Sequence, residues 1–133
     1  MSHSIIVALG TNVDADVLYR ARGVLSEMFA DVQFTGIIPT DPIGARFAGR
    51  PFYNFVAKAS CPDTADSIQD RLKELERACG DSREQRCQGR VVLDADLLAF
   101  DGTKYHEADW ERPYIKTLLE ALGEGTGVVQ YTR

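Results

Sequence analysis

The 133-residue sequence predicts an α+β sandwich in which two helices cover one face of an antiparallel sheet. Two observations predict it. Short apolar or alternating runs recur at four places, and two stretches between them carry apolar residues at helical spacing. The resulting order is β-α-β-β-α-β with a short C-terminal extension.

The first run, Ile5-Ile-Val-Ala-Leu9, is β-branched and apolar and stops at Gly10, as a buried strand does. Gly10-Thr11-Asn12 breaks it, and Asp14 or Asp16 is placed to cap a helix. Val17, Leu18, Ala21, Val24, Leu25 and Met28 then repeat with the helical period. Residues 32–38 begin with apolar–polar alternation and read as one strand. Residues 39–51 form a loop rich in Gly, Pro and Arg. Residues 52–59 return to strand character. Cys61-Pro62-Asp63-Thr64 is a turn with a helix-start signal, Ala65, Ile68, Leu72, Leu75 and Ala78 mark the helix's apolar stripe, and Gly80 stops it. A polar loop follows over 81–89, then a strand over 91–100 and a tight turn at Asp101-Gly102. Beyond it the spacing predicts a short helix over 113–122 and a last strand over 128–131. This order is that of ferredoxin-like folds, which host many unrelated functions.

Bulk properties narrow the choice. The length predicts one domain over 1–133, and 44% hydrophobic with 26% charged residues is ordinary for a globular chain. The net charge of -5 argues against nucleic acid as a partner, since phosphate-backbone binding needs Lys and Arg. No apolar run is long enough for a membrane span, and the first residues lack a leader pattern. Cys61, Cys79 and Cys87 are odd in number and form no CxxC, which predicts reduced thiols and a cytoplasmic setting. His3 and His106 read as isolated surface residues. Nothing in the sequence sets the oligomeric state.

The sharpest chemical feature is Leu93-Asp94-Ala95-Asp96-Leu97-Leu98. Side chains alternate along a strand, so Asp94 and Asp96 share one face, with two residues of rise setting their carboxylates roughly 6–7 Å apart. On its own, Asp-x-Asp fits a solvent-facing polar stripe better. Asp is depleted in strands, however, and two on one face of an apolar strand call for compensation, such as a divalent cation. Glu76, Arg83, Arg86 and Arg90 lie just upstream, where arginines can neutralise a polyphosphate. Thr40-Asp-Pro-Ile-Gly44 and Phe52-Tyr-Asn54 supply a shaped loop, an aromatic ring and an amide able to meet a flat heterocycle. Tyr53 alternates to the opposite face and reads as core.

These pieces in this order resemble the 6-hydroxymethyl-7,8-dihydropterin pyrophosphokinase family. The resemblance rests on Ala8-Leu-Gly-Thr-Asn12, Thr40-Asp-Pro-Ile-Gly44, Phe52-Tyr-Asn54, Leu75-Glu76 with Gly80 and Arg83, and the strand Leu93-Asp-Ala-Asp-Leu-Leu-Ala-Phe100. It covers roughly the first hundred residues. It implies transfer of pyrophosphate from ATP to a reduced pterin in folate biosynthesis. By the same resemblance, Asp94 and Asp96 hold two Mg²⁺ ions, and Thr40, Ile43, Gly44, Phe52 and Asn54 line the pterin pocket. Glu76, Leu97, Arg86 and Tyr114 fall on the ATP side, and Arg83 and Arg90 act on the migrating group.

Three positions depart from the family pattern. Asp81 and Val91 stand where the family has arginines, and Tyr114 stands where it has histidine. The family's later Arg-Gly-Phe stretch is replaced by residues 116–122. Lost cations weaken stabilisation of the phosphoryl group. The expectation is therefore slow turnover resting on Arg83 with Arg86 or Arg90. The alternatives are a non-catalytic relative that binds pterin or nucleotide, and a Mg²⁺ phosphohydrolase using the same Asp pair.

Overall fold

The computed structural model describes residues 2–40 and 50–123. Strand β1 (His3–Thr11) is followed by helix α1 (Asp16–Met28), strands β2 (Ala30–Phe34), β3 (Ile38–Thr40) and β4 (Phe52–Cys61), and helix α2 (Ala65–Ala78). Then come α3 (Arg83–Cys87), β5 (Asp94–Phe100), β6 (Thr103–Lys104), α4 (Glu107–Trp110) and α5 (Pro113–Ala121). The sheet is antiparallel, in the order β2-β4-β1-β5-β6, with β3 also on β4. This is the predicted α+β class.

Two apolar clusters sandwich the sheet. On one face, Val17, Leu18, Ala21 and Leu25 of α1 and Ile68, Leu72 and Leu75 of α2 pack on Val7, Leu9, Phe55, Ala57 and Leu97. On the other, Ile115, Leu118 and Leu119 of α5 pack on Ile6, Val56, Leu98 and Ala99. The C-terminal extension is thus a third layer. The alternation of β5 puts Leu93, Ala95 and Leu97 under α1 and α2. Asp94 and Asp96 therefore point to the α5 side. A bulge interrupts this phase. Ile6 pairs with Ala99 and Val7 with Leu97, so Leu98 is the extra residue and joins Ala99 on the α5 face.

Several predicted boundaries move, each for a hydrogen-bonding reason. The strand expected over 32–38 splits at Thr35, whose hydroxyl accepts from Val56 N while its own N–H donates to Val56 O. The chain resumes as β3 at Ile38, so Pro39 and Thr40 belong to a strand rather than the expected loop; Pro is tolerated there because β3 is an edge. The polar loop over 81–89 contains α3, begun by Ser82, whose hydroxyl accepts from Gln85 N at 3.1 Å. Ser-x-x-Gln is a capping-box pattern. Strand β5 starts at Asp94 rather than 91, because side chains take the preceding backbone groups. Asp81 Oδ1 accepts from Val92 N (2.9 Å) and Leu93 N (3.3 Å), and Asn12 Oδ1 accepts from Val91 N (2.7 Å).

At α1 the cap expected from Asp14 or Asp16 falls on Ala15, without a side-chain cap; Asp14 Oδ1 accepts from Asp16 N at 2.9 Å. Val24, expected on the buried stripe, is 38% exposed. Helix α2 begins and ends as predicted: Thr64 accepts from Ser67 N, and Gly80 has φ +101°, where other residues are strained. Asp101 (φ 49°) and Gly102 (φ 84°) form the tight turn into β6. Helix α4 was not predicted. The strand expected over 128–131 lies outside the described residues. All three cysteines are free. No helix among the described residues is long and apolar enough to cross a membrane.

Candidate active site

The site is assembled around Gly10. In the sheet register Gly10 faces Asn54 of β4 on one side and Asp94 of β5 on the other. A side chain there would not fit, since an added Cβ would stand 2.4 Å from Asn54 Oδ1. Asn54 is 7% exposed, and its Nδ2 donates to Thr40 Oγ1 at 2.8 Å. This bond fixes the amide and leaves its carbonyl facing the Gly10 gap. Thr11 and Asn12 clamp the neighbouring segment. Thr11 Oγ1 donates to Val91 O and Asn12 Nδ2 to Gly89 O, both from buried positions.

A cavity of about 230 Å³ opens over Gly10. Thr40, Phe52 and Asn54 form one wall, and Arg86, Val91 and Asp94 the other. Asp109, Arg112 and Tyr114, from α4 and the start of α5, complete it. Tyr53 packs toward the α1/α2 core, as its strand phase predicts.

The acidic cluster sits at the beginning of β5, where no further strand among the described residues covers the edge. Carboxylate oxygens of Glu76, Asp94 and Asp96 lie within 4.8 Å of one another. Glu76 is 7% exposed, and its Oε2 accepts from Ala95 N (2.7 Å) and Lys73 Nζ (2.9 Å). It therefore ties α2 to β5 through Oε2, while Oε1 has, among the described residues, only Arg86 at 3.8 Å. Lys73 Nζ also donates to Ala95 O (3.3 Å) and Asp96 Oδ1 (3.4 Å). Burial would lower the Lys73 pKa, but the Glu76 bond and the charges of Asp96, Glu76 and Asp94 outweigh it and hold the ammonium above its usual range. Arg86 Nε donates to Asp81 Oδ2 (2.6 Å), and its Nη2 to Leu93 O (3.1 Å) and Asp94 Oδ1 (3.4 Å).

Asp94 is pushed up to about 6, first by loss of surrounding water and then by the negative charge of Asp96; Arg86 and Lys73 oppose this without cancelling it. A cluster of hard oxygen donors that keeps excess negative charge despite two nearby cations fits a divalent ion such as Mg²⁺. Glu76, Asp94 and Asp96 each offer a carboxylate oxygen to such an ion.

The same shift makes a stability prediction. A folded-state pKa above the ordinary 3.8 means that ionised Asp94 costs stability. That cost is absent below the unfolded value and fully present above about 6. Metal-free protein is therefore expected to lose this increment as pH rises through that window. At pH 7, Asp94→Asn is expected to gain roughly 1 kcal/mol of stability, after allowance for solvent screening, and so to melt at a higher temperature. Thermal denaturation in EDTA checks this; a variant less stable than its parent contradicts it.

Of the residues singled out from sequence, Thr40, Phe52, Asn54, Glu76, Arg86, Asp94, Asp96 and Tyr114 come together here. Three others do not join the cavity. Arg83 is exposed on α3, Arg90 turns its Nε to Gln85 Oε1 (2.8 Å), and the Leu97 side chain is 1% exposed in the α1/α2 core. Leu97 does border a small hollow with Lys73 and His106 on the α2 side of the β5 edge. Ile43 and Gly44 lie outside the described residues. Sequence reading missed Lys73, Asp109, Arg112 and His106. Lys73 had a signal, being three residues before Glu76 and so on its side of a helix. His106, read as an isolated surface residue, stands 3.7 Å from Asp96. His3 instead pairs with Asp101 at 2.7 Å, away from the site.

The acidic pair at the head of β5 thus stands beside a cavity lined by an aromatic ring and an amide. The family model of 7,8-dihydro-6-hydroxymethylpterin-pyrophosphokinase (HPPK) matches residues 6–123. The chain belongs to this family. No match was found among curated proteins.

Proposed function

We propose that the protein transfers pyrophosphate from ATP to 6-hydroxymethyl-7,8-dihydropterin and releases AMP. The observation that carries this reading is the order Asn54–Gly10–Asp94 across three neighbouring strands. Strand spacing puts the amide and the carboxylate roughly 10 Å apart, with only a glycine between them. A two-ring heterocycle held by Asn54 spans that gap and brings its hydroxymethyl arm to the Asp pair.

In this reading Phe52 offers its ring to the pterin face, and Asn54, oriented by Thr40, meets its polar edge. The hydroxymethyl oxygen attacks the β-phosphorus of ATP. The bond from that phosphorus to the oxygen bridging to the α-phosphate breaks, AMP leaves with that oxygen, and the hydroxyl proton passes to solvent. Mg²⁺ held by Asp94 and Asp96 supplies charge neutralisation and alignment of the phosphate oxygens. Arg86, fixed by Asp81, offers positive charge beside Asp94, and Lys73 does so beside Asp96. Tyr114 closes the wall of the pocket.

This arrangement answers part of the cation deficit. Asp81 stands where the family has an arginine, yet it recruits Arg86 to the same neighbourhood. One observation favours the second reading, binding without turnover: Arg83 and Arg90, two of the three arginines expected to serve the phosphates, do not line the cavity.

The test is AMP formation from ATP with hydroxymethyl-dihydropterin and Mg²⁺, against a pterin-free control. Turnover that needs pterin is expected. In parallel, Asn54→Ala is expected to weaken pterin binding by roughly tenfold or more, the loss of a buried hydrogen-bonding group. Pterin binding without AMP transfers the conclusion to the second reading. Equal binding by Asn54→Ala removes the site from both.

A further inference from the structure

The cavity holds a second arginine opposite Arg86. Arg112 stands at the corner between α4 and α5. We infer that Arg112 binds the pyrophosphate group on the acceptor side, after it has joined the pterin, and so sets the preference of the pocket for the pyrophosphate ester over the alcohol. The inference rests on the pyrophosphokinase reading above.

Three observations carry it. First, Arg112 lines the same cavity as Phe52, Asn54 and Asp94, the residues that the pyrophosphokinase reading sets around the acceptor. Second, the corner is anchored. Trp110 Nε1 donates to Leu98 O (3.2 Å) and Tyr105 O (3.1 Å), Pro113 occupies the first turn of α5, and Ile115 is 2% exposed. The Arg112 backbone is thus held from both sides. Third, its donors are available. Arg112 Nε donates to Asp109 Oδ1 at 3.0 Å, and no described residue accepts from its terminal nitrogens. A guanidinium has five donors in a fork that matches phosphate oxygens. Arg86, by contrast, is already engaged with Asp81, Leu93 and Asp94.

Charge balance supports the same assignment. Asp94 and Asp109 both line the pocket, and without Arg112 they would repel an arriving pyrophosphate. Asp109 acts as a positioning residue that fixes one end of the guanidinium. A simple surface pair is the competing account. At 35% and 30% side-chain exposure, though, such a pair contributes little to stability.

The experiment measures affinity of hydroxymethyl-dihydropterin and of its pyrophosphate ester, each with Mg²⁺, for the parent, Arg112→Gln and Arg112→Lys. The parent is expected to bind the ester more tightly than the alcohol. Arg112→Gln is expected to keep the alcohol affinity, which reports an intact pocket, and to lose ester affinity by about tenfold to a hundredfold. Arg112→Lys restores part of the loss. An unchanged ester-to-alcohol ratio in Arg112→Gln overturns the assignment and leaves the pyrophosphokinase reading standing. Parallel loss of both ligands in Arg112→Gln and Arg112→Lys overturns it too, by making the role structural. A parent that binds neither ligand overturns the functional reading as well.

Discussion

Asp94→Ala and Asp96→Ala are each expected to reduce pyrophosphate transfer by on the order of a thousandfold or more, with little loss of fold. The two carboxylates share one face at the head of β5 and point away from the α1/α2 core, so truncating them opens no core cavity. Loss of either removes a hard oxygen ligand from a reaction that depends on positioning and charge neutralisation. The two variants should differ in detail. Asp96→Ala leaves His106 without its nearby carboxylate while Lys73 keeps Glu76, and Asp94→Ala leaves Arg86 still held by Asp81. Calorimetric titration of Mg²⁺-ATP should show that metal no longer strengthens nucleotide binding in either variant. Unchanged Mg²⁺ dependence in both would reject the metal assignment.

Gly10→Ala is the second substitution with a large expected effect, although it adds a single methyl group. That methyl would lie 2.4 Å from Asn54 Oδ1 and 3.5 Å from Tyr53 O. The backbone carbonyl is at ordinary contact distance, so Asn54 is the group that must yield. Asn54 cannot turn aside without breaking its bond to Thr40 in a buried setting. A stability loss of roughly 1–3 kcal/mol is expected from the overpacking. Pterin affinity is expected to fall by about tenfold to a hundredfold, because the heterocycle loses its edge partner. Denaturant unfolding and pterin titration on the same sample separate the two effects. Full pterin affinity in this variant would show that Asn54 is not the recognition group.

How much of this was legible in sequence depended on whether the responsible contacts were local. The main strands and both long helices were readable because their apolar period is a local property. So were Asp94 and Asp96 as a same-face pair. The start of β5 was not readable. Val91-Val92-Leu93 has strand composition, but its N–H groups are taken by Asn12 and by Asp81, neither adjacent in sequence. The role of Arg86 was open for the same reason, since its direction is fixed by Asp81, a residue that sequence reading counted as a missing arginine. Helix α3 was legible in principle, through Ser82 and Gln85. Arg112 was not, because its place in the cavity depends on Trp110 reaching the backbone of β5.

The bulge at Leu98 has an evolutionary consequence. It divides β5 into two stretches of opposite phase: Asp94 and Asp96 obey one alternation, and Phe100, which packs toward the α1/α2 side, obeys the other. A one-residue deletion within 98–99 could be absorbed by straightening the strand, at the cost of turning the bulge into regular ladder. Deletion of Ala95, between the two aspartates, has no such reserve and would swing one of them into the apolar core. Length variation in this strand should therefore be confined to its second half, and the spacing of the two aspartates should stay fixed while the hairpin after them drifts.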